Sequence, residues 1–246
     1  MNIDADFDSA FFETKYGKLH YKHHDGNTTP IVFLHGLAAS VKSWTRLVEF
    51  LPDSLDIYLV DLIGHGMSEA PKIEYTLKMQ YEILCDFIKR AVGRPTVLFG
   101  HSYGGWLAAY YAAYNDAEGL VLESPSGLRE FMENRKIYNT GYIEHMVKRA
   151  LTLNPREYVL RSTLNADNSG MLLDAGVLSM IKCKCLIVWG SGDDLISPAY
   201  ADSFHRLIKG SVLDMINAKH TPHYGTAEKV AELLTRFLTY DEGGRG

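Results

Sequence analysis

Residues 100–104, Gly100-His101-Ser102-Tyr103-Gly104, are the stretch of this 246-residue chain whose types and spacing could do chemistry. A short apolar run, 96–99, precedes them, and an Ala-rich run without Gly or Pro, 106–113, follows. The spacing predicts a buried strand, a sharp turn and a helix. A strand that turns straight into a helix leaves its apex residue strained and needs small neighbours two positions away, which Gly100 and Gly104 supply. Ser102 then projects its hydroxyl into open space at a helix N-terminus, where unpaired N–H groups favour developing negative charge. That is the setting of a nucleophilic serine.

A serine alone is a weak nucleophile, so the reading needs a base, an acid that orients it and donors for an oxyanion. Candidates stand at the ends of apolar runs. Asp193 and Asp194 follow 185–189, and either could be the acid; His220 follows 211–216, and either His220 or His223 could be the base. His35-Gly36 follows 30–34, and Asp61 follows 55–60.

The elements that must position these residues alternate. Strands are expected at 30–34, 55–60, 96–99, 120–123, 185–189 and 211–216, with helices at 41–51, 76–91, 106–113, 198–208 and 226–238. This rhythm means a mostly parallel sheet with helices on both faces, whose ligands bind beyond the carboxyl ends of the strands. The His35 loop, the Asp61 loop and the Ser102 turn should therefore converge. Ahead of them, 11–16 and 19–23 alternate around Gly17-Lys18 as a hairpin, and its histidines, His20, His23 and His24, read as a solvated edge. Between 124 and 181 the strands stop, and helical patterns run over 128–139, 143–151 and 155–164. Such an insertion would lie over the site, with Phe131, Met132, Tyr138, Tyr142 and Met146 as candidates for an apolar roof. Its interspersed charges read as solvated helix faces. Asp241–Gly246 reads as a frayed tail.

Composition excludes several classes. A net charge of −5 and a pI near 6.0 do not suggest a nucleic-acid or anionic-membrane partner. The acidic first residues do not read as a signal peptide, and no apolar stretch is long enough for membrane insertion. Three cysteines, an odd number, favour a reducing, cytoplasmic setting over a disulfide framework. Cys183-Lys184-Cys185 has no matching Cys/His pair, so no metal is expected. No phosphate-cradling fingerprint is present, and serine-based acyl transfer needs no cofactor.

His35-Gly36, residues 61–68 (Asp-Leu-Ile-Gly-His-Gly-Met-Ser), 100–104, Gly190-Ser-Gly-Asp193 and His220-Thr-Pro222 together resemble the α/β-hydrolase superfamily, and the order Ser, Asp, His is that of its catalytic triad. The resemblance covers nearly the whole chain and is weakest over the insertion. It implies an α/β-hydrolase fold, a mostly parallel eight-stranded sheet whose core is formed by 1–124 and 182–246, with a small helical cap at 125–181. By position it implies Ser102 as nucleophile, His220 as general base and Asp193 as orienting acid. It also implies the backbone N–H groups of Leu37 and Tyr103 as the oxyanion hole. His35 would shape its loop, His65 hold a turn, and His101 pack beneath the nucleophile. Asp61 and Ser68 would be structural hydrogen-bonding partners, and Trp106 and Tyr110 helix-packing residues. The implied activity is a serine hydrolase, carboxylesterase-like, cleaving an apolar small-molecule ester or thioester through an acyl-enzyme. Alternatives on the same triad are a C–C bond hydrolase, an acyltransferase or a slow-turnover small-molecule receptor. The sequence carries no signal for oligomeric state.

Overall fold

The computed structural model of the protein describes residues 1–137 and 140–239. Tyr138, the side chain of Tyr142 and the tail Asp241–Gly246 lie outside the described residues. Eight strands form one sheet: β1 Asp8–Thr14, β2 Gly17–His24, β3 Ile31–Leu34, β4 Ile57–Val60, β5 Val97–His101, β6 Gly119–Glu123, β7 Lys184–Gly190 and β8 Val212–Ile216. Their order is β1-β2-β4-β3-β5-β6-β7-β8. The β1–β2 and β2–β4 pairs are antiparallel, and every pair from β4 to β8 is parallel. Among the described residues ten α-helices accompany them: α1 Thr45–Val48, α2 Leu77–Phe87, α3 Tyr103–Tyr114, α4 Arg129–Ile137, α5 Thr140–Ala150, α6 Glu157–Asn165, α7 Ala175–Ser179, α8 Ala199–Leu207, α9 Pro222–Gly225 and α10 Ala227–Thr239.

β3 and β4 are apolar at every position, and β5 to β7 are apolar but for an end residue, because both faces are covered. On β3, Ile31 and Phe33 pack with α1 and α10 on one face, while Val32 and Leu34 pack with α2 and α3 on the other. The period of two divides each strand between two cores. Phe33, Trp44 and Phe99 meet on the α1 side with ring centroids 5.0–5.3 Å apart.

Three expectations are corrected. The β1–β2 turn is centred on Lys15-Tyr16 rather than Gly17-Lys18: Thr14 pairs with Gly17, and the Thr14 hydroxyl donates to the Gly17 carbonyl at 2.6 Å. The helix expected over 41–51 shrinks to a 3₁₀ turn, Val41–Trp44, and the single turn of α1, since Pro52 follows at once and the last N–H groups bond three residues back. The histidines of β2 are not a solvated edge, because β2 lies between β1 and β4. His20 is fully buried, with Nδ1 2.7 Å from Asp61 Oδ2 and Nε2 2.9 Å from the Ser9 hydroxyl.

Helices α4 to α7 fill the interval between β6 and β7. Its two stems are zipped together: Leu173 donates to the Gly127 carbonyl and Arg129 to the Leu173 carbonyl, at 2.9 and 2.8 Å. The Arg129 guanidinium bonds Asp174 beside them at 3.1 Å. The helices are then fastened to the β4–α2 loop. Asn154 and Arg156 side chains both donate to the Gly64 carbonyl, at 3.0 and 3.2 Å, and Ser162 Oγ accepts the Tyr75 N–H at 2.8 Å. Asn168 Oδ1 takes the Leu77 N–H, an orphan donor of the first turn of α2, at 2.8 Å.

Candidate active site

Ser102 sits between β5 and α3 with φ 52° and ψ −112°, a conformation L-residues adopt at a cost of about 1–3 kcal/mol and only where the surroundings enforce it. The surroundings are visible. The Ser102 N–H donates to the Glu123 carbonyl, and its own carbonyl accepts from Ser126 and Trp106, each at 3.0 Å. A Cβ on Gly100 would lie 2.4 Å from the Gly104 carbonyl oxygen, and one on Gly104 would lie 2.1 Å from the Leu34 carbonyl oxygen. The two glycines let α3 start directly on the ends of β5 and β3.

Asp193 and His220 come from the loops after β7 and β8, which backbone bonds knit together: Ser191 donates to Ile216 at 2.8 Å and Gly192 to Ala218 at 3.0 Å. His220 Nδ1 lies 2.8 Å from Asp193 Oδ2. Asp193 Oδ1 accepts the N–H groups of Leu195 and Ile196 at 2.9 and 3.0 Å. Burial works to raise the Asp193 carboxyl, but His220 and the two backbone donors outweigh it and hold it below its ordinary value. Burial lowers the His220 imidazole, against the pull of Asp193. Asp194, the alternative acid, is exposed. His223, the alternative base, is turned away onto Glu123, whose Oε1 accepts its N–H at 2.8 Å and whose Oε2 meets its Nδ1 in a short bond.

A cavity of about 680 Å³ is lined by Ser102, His220, Leu37 and Tyr103. Tyr103 is the first residue of α3, where a helix leaves its N–H without an internal acceptor. Leu37 follows Gly36, whose Cα approaches so closely that a Cβ there would meet the Ser102 Cβ at 3.3 Å. His35 fixes this loop as the neutral imidazole: Nδ1–H donates to the Gly36 carbonyl at 2.8 Å and Nε2 accepts the Leu62 N–H at 3.1 Å. Burial pushes its pKa down. Asp61 and Ser68 hold the neighbouring loop, with Asp61 accepting from Val41 and Met67 and the Ser68 hydroxyl donating to the Asp61 carbonyl. His65 packs on His35 at 5.2 Å, and burial lowers it to about 3.

The rest of the lining comes largely from the insertion. Phe131, Met132 and Met146 are there as expected, joined by Leu172 and by a polar run, Asn165, Asp167, Asn168 and Ser169, that hydrophobic periodicity does not single out. Trp106 packs in the core as expected, against Tyr103; it also lines the cavity, and its indole N–H donates to the Met171 carbonyl of the insertion at 2.8 Å. Tyr110 packs on Tyr81 and Tyr114. Glu123 was legible only as the last residue of a strand. A charge ending the fully buried run Gly119–Glu123 is the signal that marks it.

Two groups of side chains among the described residues could surround a cation, His101–Glu123–His223 and His23–Asp25–Asp56. In the first, both imidazole Nδ1 atoms already bond the Glu123 carboxylate. In the second, Asp56 is already bonded by His23 and Arg94. Both read as ion-pair clusters. No described helix is long and apolar enough to cross a membrane.

The sequence profile described as the alpha/beta hydrolase family matches residues 31–233. Monoacylglycerol lipase abhd6-B of Xenopus laevis is 33% identical over 87% of this chain and 76% of its own. Among solved structures, a membrane phospholipase A superposes with a TM-score of 0.80 at 19% identity, covering 95% of this chain and 86% of the other. Carboxylesterase CesB (YbfK) from Bacillus subtilis superposes with 0.77 at 18% identity, covering 97% and 93%. These structural likenesses speak for the fold.

Proposed function

Because the chain belongs to the alpha/beta hydrolase family, we propose that it is a serine hydrolase that cleaves carboxylic esters or thioesters through an acyl-enzyme on Ser102. The observation that carries the reading is the buried His220–Asp193 hydrogen bond of 2.8 Å opening on the same cavity as the strained Ser102. With Nδ1–H committed to Asp193, His220 has Nε2 free to accept the Ser102 proton as the hydroxyl attacks the ester carbonyl. The proton then passes to the leaving alkoxide or thiolate, and water repeats the sequence to release the acid. The N–H groups of Leu37 and Tyr103 take the oxyanion, and each such donor is worth about a hundred- to a thousandfold in rate.

In this reading residues 125–181 form a cap over a core of 1–124 and 182–246. The substrate is a small molecule with an apolar acyl part against Phe131, Met132 and Met146. The relative's name, monoacylglycerol lipase, brings a monoacylglycerol-type ester as its class, and the polar run 165–169 supports an alcohol part that carries hydroxyls. The free thiols of Cys85, Cys183 and Cys185 support a cytoplasmic setting. Steady-state hydrolysis of p-nitrophenyl esters from acetate to decanoate, with a monoacylglycerol beside them, tests the reading. The wild type turns over and Ser102→Ala falls at least about a thousandfold with its melting temperature kept. Near-normal turnover by Ser102→Ala refutes the mechanism.

A further inference from the structure

Glu123 is a fully buried carboxylate at the end of a strand whose other residues are apolar. Burying a charge costs several kcal/mol unless partners compensate it, and an apolar residue here would extend the core at no such cost. Its partners all belong to the site. The Glu123 carbonyl accepts the Ser102 N–H at 3.0 Å and meets His101 Nδ1 at 3.2 Å. Its carboxylate meets His101 Nδ1 at 3.0 Å, and it holds His223 through both the backbone N–H and Nδ1. His223 is three residues past His220 and is itself clamped against Trp44, ring centroids 4.5 Å apart. The His101 ring stands between, 4.9 Å from His220 and 4.7 Å from His223.

We infer that Glu123 is a positioning residue for the Ser102–His220 pair, tying the nucleophile's backbone to the start of α9 and setting a fixed negative charge beneath the imidazole of His220. The inference rests on the reading of Ser102 and His220 given above. His220 is then bracketed by two carboxylates. Asp193 contacts it directly from the β7 loop, and Glu123 acts from the end of β6 across His101. Both favour the imidazolium that forms when His220 takes the serine proton. The titratable groups acting on His220 are Asp193, His101 and Glu123; those acting on Glu123 are His223 and His101. Burial works against the Glu123 carboxylate, but the two histidines outweigh it and hold its pKa at about 2, so it stays charged across the working pH range.

Two variants separate charge from tether. Glu123→Gln keeps an acceptor for the His223 N–H and loses the charge. Glu123→Asp keeps the charge and shortens the tether. With p-nitrophenyl acetate, Glu123→Gln lowers kcat at least about tenfold with KM within about twofold, and it moves the acid limb of kcat/KM down by about half a pH unit or more. Glu123→Asp leaves the limb in place and lowers kcat about fivefold or more. A histidine NMR titration of the resting protein, His220 assigned through His220→Gln, reads the same shift without turnover. The charge effect can therefore be seen even if no ester is cleaved and the hydrolase reading falls. A folded Glu123→Gln whose acid limb and His220 titration both match the wild type overturns the inference and leaves Glu123 a packing element. Should Glu123→Gln fail to fold, a Glu123→Asp variant with wild-type kcat overturns it.

Discussion

Asp193→Asn should abolish activity without unfolding the protein, and the reason lies in how the two carboxylate oxygens are used. Oδ1 takes two backbone N–H groups, from Leu195 and Ile196, while Oδ2 takes one imidazole N–H, from His220. An asparagine has one oxygen to offer. Directed at the loop, it keeps two bonds and loses one; directed at His220, it loses two and presses its NH₂ against two donors. At about 1 kcal/mol per net hydrogen bond and about 1–3 for each buried donor left unpaired, the first orientation wins by several kcal/mol. The amide NH₂ then points at His220 Nδ1, which must accept. The ring proton moves to Nε2, the nitrogen that should receive the Ser102 proton, and the base is disabled by tautomer alone.

The expected loss in kcat is about ten-thousandfold, about 5 kcal/mol of transition-state stabilisation. The fold keeps the two loop bonds, remakes the third with its direction reversed and keeps its packing, so the melting temperature should stay within about 5 °C of the wild type. The assay is kcat and KM on p-nitrophenyl acetate, with ¹⁵N chemical shifts of His220 reporting which ring nitrogen is protonated. Asp194→Asn is the control; Asp194 is exposed, and its variant should stay within about twofold. Asp193→Asn retaining more than a tenth of wild-type activity, or keeping the proton on Nδ1, refutes the reasoning.

Other predictions concern the scaffold. Gly104→Ala drives a Cβ to 2.1 Å from the Leu34 carbonyl oxygen and 2.6 Å from that of His35, backbone atoms that cannot step aside. The cost should exceed the about 1–3 kcal/mol of ordinary overpacking. Thermal melts should show a fall of more than about 10 °C, whereas Gly170→Ala, whose Cβ meets nothing within 4 Å, should melt like the wild type. Burial holds His35, His101 and His220 below the ordinary histidine value and His65 at about 3. A folded pKa below the unfolded one means that the unfolded chain binds more protons as pH drops. Stability should be full above about pH 6.5 and be lost steadily as pH falls below it; a melting temperature flat from pH 7.5 to 4 would contradict this. Asn154→Ala removes one of the two donors to the Gly64 carbonyl, leaving Arg156, and should cost about 0.5–1.5 kcal/mol, read as faster proteolysis within the insertion than in the wild type.

The sheet and the site's skeleton were legible because each rests on a local rule. A strand covered on both faces reads as a near-continuous apolar run, which finds β3 to β7. A turn as tight as that at Ser102 has to be flanked by glycines. The errors fall where position in the sheet outweighs local pattern. An alternating strand with three histidines is an edge only if nothing pairs beyond it, and β2 has β1 on one side and β4 on the other. His20 is therefore buried on Asp61, a residue 41 positions away that no periodicity could bring to it.

The insertion was legible as helices and, through Phe131, Met132 and Met146, as a roof over the site; its polar lining and its fastening were not, for a related reason. Its helices are placed by side chains reaching backbone groups far off in sequence: Asn154 and Arg156 on Gly64, Ser162 on Tyr75, Asn168 on Leu77. Polar-to-backbone bonds of this kind leave no trace in hydrophobic spacing. The same holds beneath Ser102. Glu123 could have been recognised only as a charge where a leucine would pack, and His223 only as a rival to His220 for the role of base. The two become intelligible together: a second histidine three residues from the first is held off Asp193 by a carboxylate of its own, and that pairing leaves Asp193 to His220 alone.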